Sequence, residues 1–247
     1  MLVNVILSGG FKMARLYGDI QDIDTDAVKE FYNGRASANV ESDLSIVLLQ
    51  DKENCEKRTA EDNKLFAENI NYNGKKIFEI GCGIGRWADL LHDKCDSYLG
   101  IDYSDELIDI AIESHSYDNC QFQVMSAFDI NIDDLLVEPP FDIILISQML
   151  MYLNDGDIDN LIKEVKKIVS EDKQILVIEP ISHLETRLTL KDFYSDELDT
   201  NYNAVYRTEK EYMEFFDKFD YNNISTCDMF EDSNKRSETG YRAFIMK

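Results

Sequence analysis

The sequence predicts an α/β fold in which helices cover both faces of a mostly parallel sheet. Short apolar runs alternate with amphipathic segments between residues 75 and 180, and a glycine-rich loop follows the first run. Hydrophobic residues make up 44% of the 247 residues, enough for a sizeable core. Strands that alternate with helices need crossover connections, which build parallel sheets. We expect one domain with a small cap.

The first seventy residues are expected to form an N-terminal extension and a helical cap. Between Asp24 and Asn69, apolar residues recur at helical spacing, as in Val28 and Tyr32. Residues 1–12 are either native or an extension, because Met13 is an alternative start. No apolar run has the length of a signal-peptide core or of a helix that spans a bilayer.

Residues 74–180 are expected to form the core of the fold. Its predicted strands are Lys76–Ile80, Tyr98–Ile101, Gln121–Met125, Phe141–Ser147 and Gln174–Ile178. Its predicted helices are Arg86–Asp93, Asp105–Ser114 and Asp157–Val169. Strands that are apolar throughout are typical of a sheet buried on both faces.

The alternation stops after Pro180. Residues 181–207 are polar and aromatic without clear periodicity, which favours an insertion that acts as a substrate lid. Residues 208–247 then predict a C-terminal helix and two further strands. These elements are Thr208–Lys218, Asn223–Met229 and Tyr241–Met246, which brings the sheet to seven strands.

The clearest chemical signal lies where the first core strand ends. Glu79 is followed by Gly81, Gly83 and Gly85. Glycines let a backbone approach a ligand closely, and ligands of open α/β sheets bind at the carboxyl ends of strands. The G-x-G-x-G spacing differs from the G-x-G-x-x-G of dinucleotide folds, and Glu79 would repel a pyrophosphate. The pattern favours a ligand with positive charge, such as an α-amino group or a sulfonium.

A second acidic residue, Asp102, ends the next strand, seventeen residues after Gly85. A carboxylate at this position can accept hydrogen bonds from both ribose hydroxyls. The alternative is a helix-capping cluster with Ser104, Asp105 and Glu106, in which Ser104 is the N-cap. That cluster explains the three later residues and leaves Asp102 in the preceding loop, so ribose binding is the preferred interpretation.

Together these motifs resemble those of the class I S-adenosylmethionine-dependent methyltransferases. Glu79–Gly85 is similar to their E/D-x-G-x-G-x-G motif, and Asp102 to their acidic residue after the second strand. Phe141–Leu153 resembles their fourth strand and the segment after it, and Ile175–Pro180 resembles their fifth strand. The resemblance spans residues 75–180. It implies a Rossmann-like fold and S-adenosyl-L-methionine as the cofactor, with S-adenosyl-L-homocysteine as the product.

The resemblance also implies a set of cofactor-binding residues. In the core these are Glu79, Gly81, Cys82, Gly83, Gly85, Trp87, Asp102, Tyr103, Ser126, Ala127, Phe128, Ser147, Gln148 and Met149. In the cap, Tyr32, Arg35 and Arg58 are candidates for the methionine carboxylate, which a guanidinium binds well. The alternative for Arg58 is a solvated position on a charged helix. Ser126 stands where many family members have Asp, and Met151 where a histidine is common.

Fewer signals concern the methyl acceptor. The segment around Tyr206 and Arg207 resembles small-molecule methyltransferases of bacterial surface-sugar and antibiotic-sugar pathways. This implies methylation of an O or N atom of a polar acceptor, with a phosphate or carboxylate held by Arg207 or Arg187. Candidates for a general base are His183, Glu179 and Tyr152. An ordinary loop histidine is the alternative for the first of these.

The composition of the chain limits the classes of molecule that it is expected to bind. A formal net charge of −24 argues against nucleic acid and against anionic membranes, because both attract basic proteins. The five cysteines are scattered and odd in number, which favours a reducing compartment, and we expect a cytoplasmic protein without a metal site. The oligomeric state stays open. The alternative functions are a non-catalytic S-adenosylmethionine-binding module and a nicotinamide-dependent oxidoreductase.

Overall fold

The computed structural model describes five stretches of the chain, residues 14–38, 42–196, 198–221, 223–230 and 236–247. The alternative start at Met13 lies outside the described residues. Within these stretches no helix combines the length and the apolar character needed to cross a membrane.

Ten strands and seven α-helices follow one another along the described residues. The strands are β1 (Ala14–Tyr17), β2 (Lys76–Ile80), β3 (Ser97–Asp102), β4 (Cys120–Val124), β5 (Phe141–Ser147), β6 (Val169–Ser182), β7 (Leu188–Ser195), β8 (Thr200–Tyr206), β9 (Ile224–Met229) and β10 (Thr239–Met246). The helices are α1 (Thr25–Ala36), α2 (Asp43–Leu48), α3 (Lys52–Asn69), α4 (Ala88–Leu91), α5 (Asp105–Ser114), α6 (Asp155–Ile168) and α7 (Glu209–Phe216).

Seven strands form the main sheet in the order β4-β3-β2-β5-β6-β10-β9. The first five are mutually parallel, and β10 pairs antiparallel with both β6 and β9. The predicted α/β class with a mostly parallel, seven-stranded, Rossmann-like sheet is confirmed. The strands predicted at Lys76–Ile80 and Phe141–Ser147 have the observed bounds.

Helices cover both faces of this sheet because alternate residues of each buried strand point to opposite sides. In β5, Ile144 and Ile146 pack in one core cluster together with Leu161 of α6. Their neighbours, such as Ile143, pack in a second cluster together with Trp87. Each face of the strand therefore meets its own layer of helices.

The helix predicted at Arg86–Asp93 is shorter than expected. Residues before Ala88 form successive tight turns, in which Gly85 N–H donates to the Cys82 carbonyl and Ala88 N–H donates to the Gly85 carbonyl. Gly85 has a φ of 74°, which a regular helix does not accommodate. The turns continue past this glycine, and the helix α4 begins at Ala88 and ends at Leu91.

Residues 181–207, which the sequence predicts to be a lid insertion without clear periodicity, contain two regular strands. This segment contains β7 and β8, which form a three-stranded antiparallel sheet with β1, in the order β1-β7-β8. The pairing register shifts between Leu190 and Phe193, where Asp192 has a φ of 48°. A bulge of this kind interrupts the period-two pattern that marks a strand in sequence. We call these three strands the small sheet.

The N-terminal cap consists of α1, α2 and α3, within the range predicted to be helical. Asp24 caps α1 by accepting from the backbone N–H groups of Asp26 and Ala27. The α1 and α2 helices are joined by Arg35, whose guanidinium donates to the carbonyls of Ser45 and Ile46 at 2.5 and 3.0 Å. Arg35 therefore contributes to the shape of the cap.

Candidate active site

A cavity of about 850 Å³, including its open mouth, lies at the carboxyl ends of β2, β3 and β5. We call it the first cavity. Twelve of the residues that the sequence assigned to the cofactor line it: Tyr32, Glu79, Gly81, Cys82, Gly83, Asp102, Tyr103, Ala127, Phe128, Ser147, Gln148 and Met149. The edge of the sheet that the motifs indicated is therefore the edge that carries the cavity.

The glycine-rich loop forms the floor of the first cavity with bare backbone. Gly81 has a φ of 76°, and a Cβ atom added there would lie 2.4 Å from the Cγ of Met149. The N–H groups of Gly81 and Cys82 both donate to the carbonyl of Ile101, at 2.8 and 2.9 Å, which fixes the loop against β3. A side chain at Gly81 would fill space that a ligand could otherwise use.

Asp102 joins this loop to the next helix. Its carboxylate accepts from the N–H of Gly83 at 2.9 Å and from the N–H of Ser104 at 3.0 Å. Ser104 in turn is the N-cap of α5, accepting from Leu107 N–H at 3.2 Å. Burial raises the pKa of Asp102, although the backbone donors oppose this. Ser104 is therefore the helix cap, as the capping interpretation predicts, whereas Asp102 lines the first cavity and its binding of ribose stays a prediction.

Glu79 is a buried acid in the same wall. Its carboxyl accepts from the Tyr98 hydroxyl at 2.5 Å, and burial raises its pKa to about 8. At neutral pH the protonated form of Glu79 therefore predominates when no cationic ligand occupies the cavity, even with Arg86 nearby. A positive charge placed in the cavity would favour the ionised form.

Arg86 lines the first cavity but is absent from the sequence-predicted set. It forms a 2.7 Å salt bridge with Asp62 of α3 and donates to the Ser147 hydroxyl at 2.9 Å. The available signal was its position directly after the last glycine of the motif. Its partner Asp62 lies 24 residues upstream on the helical cap, and no local pattern reveals that pairing.

A second cavity of about 2580 Å³, including its open mouth, adjoins the first. Val47, Leu48, Gln148 and Tyr152 line both cavities, so the two spaces meet at these residues. Further walls come from the cap, from β8 and from β10, whose side chains include Arg58, Tyr202, Tyr206 and Tyr241.

Three tyrosines form a chain of hydrogen bonds along this boundary. The Tyr32 hydroxyl donates to that of Tyr152 at 2.6 Å, and the Tyr152 and Tyr202 hydroxyls are also 2.6 Å apart. Burial raises the pKa of Tyr152 and of Tyr202 well above the ordinary value. These hydroxyls connect α1, the segment after β5 and the small sheet in their protonated form.

Arg58 lies in the wall of the second cavity and not of the first. It is buried, with its guanidinium 4.8 Å from the ring centre of Phe230 and 4.4 Å from that of Tyr241. It donates to the Leu48 carbonyl at 3.3 Å and to Oε1 of Gln148 at 2.5 Å. The structure therefore places it in the interior of the protein rather than on a solvated helix face.

Glu179 lines neither cavity. It is fully buried, and it accepts from the N–H groups of Met149 and Leu150 at 2.7 and 2.8 Å and from Met151 at 3.2 Å. Burial raises its pKa to about 7. This carboxyl holds the backbone of the segment that separates the two cavities.

The two arginines expected to hold the acceptor lie outside both cavities. Arg207 is fully buried, forms a 2.7 Å salt bridge with Asp155 and donates to the carbonyls of Leu150 and Leu153. Arg187 forms salt bridges with Asp155 at 3.0 Å and Glu211 at 2.7 Å. Both arginines connect the small sheet to α6, and Arg187 also connects it to α7, so both have carboxylate partners.

The remaining predicted residues surround the site without lining either cavity. His183 is exposed at the end of β6. Trp87 is fully buried behind the glycine loop and packs in the core. Gly85 allows the Phe122 ring to approach, because a Cβ at Gly85 would lie 2.4 Å from that ring. The Ser126 hydroxyl accepts from Phe128 N–H at 3.1 Å and shapes the loop after β4.

Residues 77–172 match a family model described as a methyltransferase domain. A phosphoethanolamine N-methyltransferase 1 of Triticum aestivum is 29% identical over 116 residues, which are 46% of this chain and 23% of the relative. Its counterpart in Zea mays is 33% identical over 100 residues, 39% of this chain and 19% of the relative. The chain matches less than a quarter of the length of these relatives.

Solved structures share the fold over most of the chain. A methyltransferase of Leishmania major, described as S-adenosylmethionine-dependent, superposes with a TM-score of 0.67 at 15% identity, covering 90% of this chain and 82% of the other. The Haemonchus contortus phosphoethanolamine N-methyltransferase 1, bound to phosphoethanolamine and S-adenosylhomocysteine, superposes with a TM-score of 0.66 at 17% identity. The superposition covers 90% of this chain and 49% of that structure. A DhpI-SAM-HEP complex superposes with a TM-score of 0.59 at 19% identity, covering 90% of this chain and 97% of the other.

Proposed function

We propose that this chain, whose residues 77–172 are a methyltransferase domain, is an S-adenosylmethionine-dependent methyltransferase that acts on a small polar acceptor. The observation that carries the proposal is the first cavity. Its floor is the bare backbone of Gly81 and Gly83, and its walls contain two buried carboxyls, Glu79 and Asp102. This combination suits a cationic nucleoside and would be unfavourable for a pyrophosphate.

Each part of the cofactor has a matching part of the wall. Asp102 lines this cavity and would accept hydrogen bonds from the ribose hydroxyls, and Tyr103 and Phe128 would provide apolar surface for the adenine. Glu79 would balance the positive charge of the methionine part. Arg86 has an Nη1 atom that makes no hydrogen bond within the described residues, and it would bind the methionine carboxylate.

The protein's contribution to methyl transfer is mainly positioning. When bound, S-adenosylmethionine supplies a methyl group made electrophilic by the sulfonium. Gln148 and Tyr152 line both cavities, so an acceptor in the second cavity would meet the methyl group beside them. Holding the acceptor atom close and in line, with water excluded, provides most of the acceleration in such a displacement.

Of the three base candidates, Tyr152 lines both cavities, whereas Glu179 is bound to backbone N–H groups and His183 is exposed. The raised pKa of Tyr152 favours its protonated form, so it would orient the acceptor by a hydrogen bond rather than remove a proton. An amine acceptor would therefore arrive neutral, with its lone pair free to attack.

The acceptor class is supported by the relatives as well as by the cavity. The relatives described above include enzymes named for N-methylation of phosphoethanolamine, and the second cavity has the polar and aromatic lining that suits a small polar molecule. A sugar or nucleotide-linked acceptor of a surface-polysaccharide pathway, as the lid segment suggests, stays a prediction.

The proposal is tested by incubating the protein with methyl-labelled S-adenosylmethionine and a panel of small amines and alcohols that carry polar groups. We expect label in one acceptor and an equal amount of S-adenosylhomocysteine. Binding of S-adenosylhomocysteine without transfer to any acceptor would instead support a non-catalytic binding module. Preferential binding of NAD would support a nicotinamide-dependent oxidoreductase.

A further inference from the structure

A buried group of charged residues separates the two cavities. Asp62 of α3 forms a salt bridge with Arg86, which lines the first cavity, and interacts electrostatically with Arg58, which lines the second. All three side chains are buried. Gln148 completes the group, because its Oε1 accepts from Arg58. We call these four residues the partition.

The partition carries more positive than negative charge. Asp62 is its one carboxylate, and its 2.7 Å salt bridge is with Arg86. None of the salt bridges found between described residues includes Arg58. Two buried cations thus share one carboxylate, so an anion from outside would stabilise this site.

Unpartnered donors in the partition point to the same conclusion. Nε of Arg58, Nη1 of Arg86 and Nε2 of Gln148 are buried and lack a hydrogen-bond partner within the described part of the chain. The carboxylate oxygens of Asp62 also make no hydrogen bond there, apart from the 2.7 Å ion pair with Arg86. A buried donor without an acceptor costs about 1–3 kcal/mol. Such groups in native proteins are usually satisfied by water or by a ligand. The donors are on guanidinium and amide groups, which bind carboxylates and phosphates.

The backbone at Gln148 holds its amide at the junction of the cavities. Its φ of 57° is unfavourable for a residue other than glycine, asparagine or aspartate. Its N–H donates to the Ile178 carbonyl at 2.7 Å, which fixes this conformation against β6. Strain of this kind persists where the surrounding structure maintains it, and such residues cluster at ligand sites.

We propose that Arg58 and Gln148 form an anion-binding subsite in the second cavity, and that the methyl acceptor carries a compact anionic group, a carboxylate or a phosphate, that binds there. This inference rests on the proposed function and specifies its substrate class. Arg86 faces the first cavity and serves the cofactor, so each guanidinium of the partition has its own anion. The rest of the acceptor extends from Arg58 past Gln148 and Tyr152 to the methyl group.

This subsite replaces the anchors that the sequence indicated. Arg207 and Arg187 already form salt bridges with Asp155. An anion in the second cavity would have to displace that carboxylate. Among the described residues no salt bridge occupies Arg58, and the rings of Phe230 and Tyr241 hold its guanidinium in place.

The test is calorimetric, on the full chain. S-adenosylhomocysteine is titrated first, and phosphoethanolamine and ethanolamine are then titrated into the saturated protein as a pair that differs in the phosphate. We expect phosphoethanolamine to bind at least about tenfold more tightly, as expected for charge-assisted hydrogen bonds. Inorganic phosphate and acetate, titrated with and without S-adenosylhomocysteine, test the subsite without assuming an acceptor and distinguish phosphate from carboxylate.

Two substitutions locate the anion. Gln148→Glu places a carboxylate beside Arg58. This carboxylate would pair with the guanidinium and occupy the subsite, so the fold should be retained. We expect anion affinity to fall about tenfold or more. Lys57→Gln is the matched control, because Lys57 lines the same cavity but is exposed and already bonded to Glu53 at 2.6 Å. We expect anion affinity to change less than about twofold in that variant.

The outcomes separate the inference from the proposed function. One outcome refutes the subsite while the methyltransferase proposal stands. In it, S-adenosylhomocysteine binds, phosphate and acetate do not bind saturably, and phosphoethanolamine and ethanolamine bind equally. Equal anion affinity in Gln148→Glu and the unaltered protein also refutes the subsite. If S-adenosylhomocysteine fails to bind, the proposed function falls, and the phosphate and acetate titrations still decide whether an anion site exists.

Discussion

The two cavities are built in different ways. The first is built largely from consecutive residues at strand ends, such as Gly81 to Gly83 after β2 and Asp102 at the end of β3. The second draws its side chains from distant segments, with Arg58 on α3, Tyr202 on β8 and Tyr241 on β10. The first cavity is therefore encoded in short motifs, whereas the second depends on tertiary packing.

The difference explains how each cavity should respond to substitution. Backbone groups shape the first cavity, so added atoms should harm it more than lost side-chain atoms. Side-chain hydrogen bonds shape the second, so it should be sensitive to single polar atoms. The following predictions test this contrast.

The largest effect is expected from Gly81→Ala. The added Cβ would lie 2.4 Å from Met149 Cγ, at a residue whose φ of 76° already disfavours a side chain. We expect affinity for S-adenosylhomocysteine to fall about 100-fold or more, measured by calorimetry. Gly156→Ala is the control, because no atom outside the adjacent residues and the backbone of α6 lies within 4 Å of a Cβ at that position. Equal affinities in the two variants would contradict a cavity shaped by bare backbone.

The next effect concerns Glu179, whose carboxyl serves three backbone N–H groups. Glu179→Leu should lower the free energy of unfolding by at least about 3 kcal/mol, because it leaves these donors buried without an acceptor. Glu179→Gln keeps an acceptor oxygen and should retain most stability and turnover, measured by denaturant unfolding and by methyl transfer. Loss of turnover in a stable Glu179→Gln protein would instead identify Glu179 as a general base.

A smaller effect follows from the titration of Glu79. Its pKa of about 8 in the folded chain exceeds the ordinary 4.5, so its contribution to stability is complete below pH 4.5 and is lost as pH rises through 8. A cationic cofactor binds the ionised form better, so affinity for S-adenosylmethionine should rise up to about tenfold per pH unit between about pH 6 and about pH 8. Glu79→Gln should remove this dependence. A pH-dependent affinity of the same slope in that variant would show that another group titrates.

The smallest effects are expected from Tyr152 and His183. Tyr152→Phe removes hydrogen bonds to Tyr32 and Tyr202 and should cost about 1–2 kcal/mol of stability, with a several-fold rise in the KM of the acceptor. His183→Gln should leave both quantities unchanged, because His183 is exposed outside the two cavities. A large loss of kcat in His183→Gln would show that this histidine reaches the acceptor.

Sequence patterns suffice where structure is local. Buried strands are short apolar runs, so β2 and β5 are predicted to the residue, and the glycine motif indicates the floor of the first cavity. The small sheet escapes prediction because the bulge near Asp192 disrupts its alternation.

The partition escapes prediction for another reason. Arg86 and Asp62 are adjacent in space through the packing of α3 against the glycine loop, and Arg58 and Gln148 are 90 residues apart. Arg207 is the opposite case. Its segment predicted a role in acceptor binding, but its guanidinium forms a salt bridge with Asp155. Without the fold, the sequence offers no means to choose among the arginines.

The most direct test of the central claim is a calorimetric titration of S-adenosylhomocysteine and NAD into the unaltered protein and into Asp102→Asn. We predict binding of S-adenosylhomocysteine to one site per chain, weakened about tenfold or more in the variant. A neutral amide accepts hydrogen bonds from the ribose less strongly, and its NH₂ group must face the N–H of Gly83 or of Ser104. NAD should not compete. Absence of S-adenosylhomocysteine binding, or equal binding in Asp102→Asn, would contradict the claim.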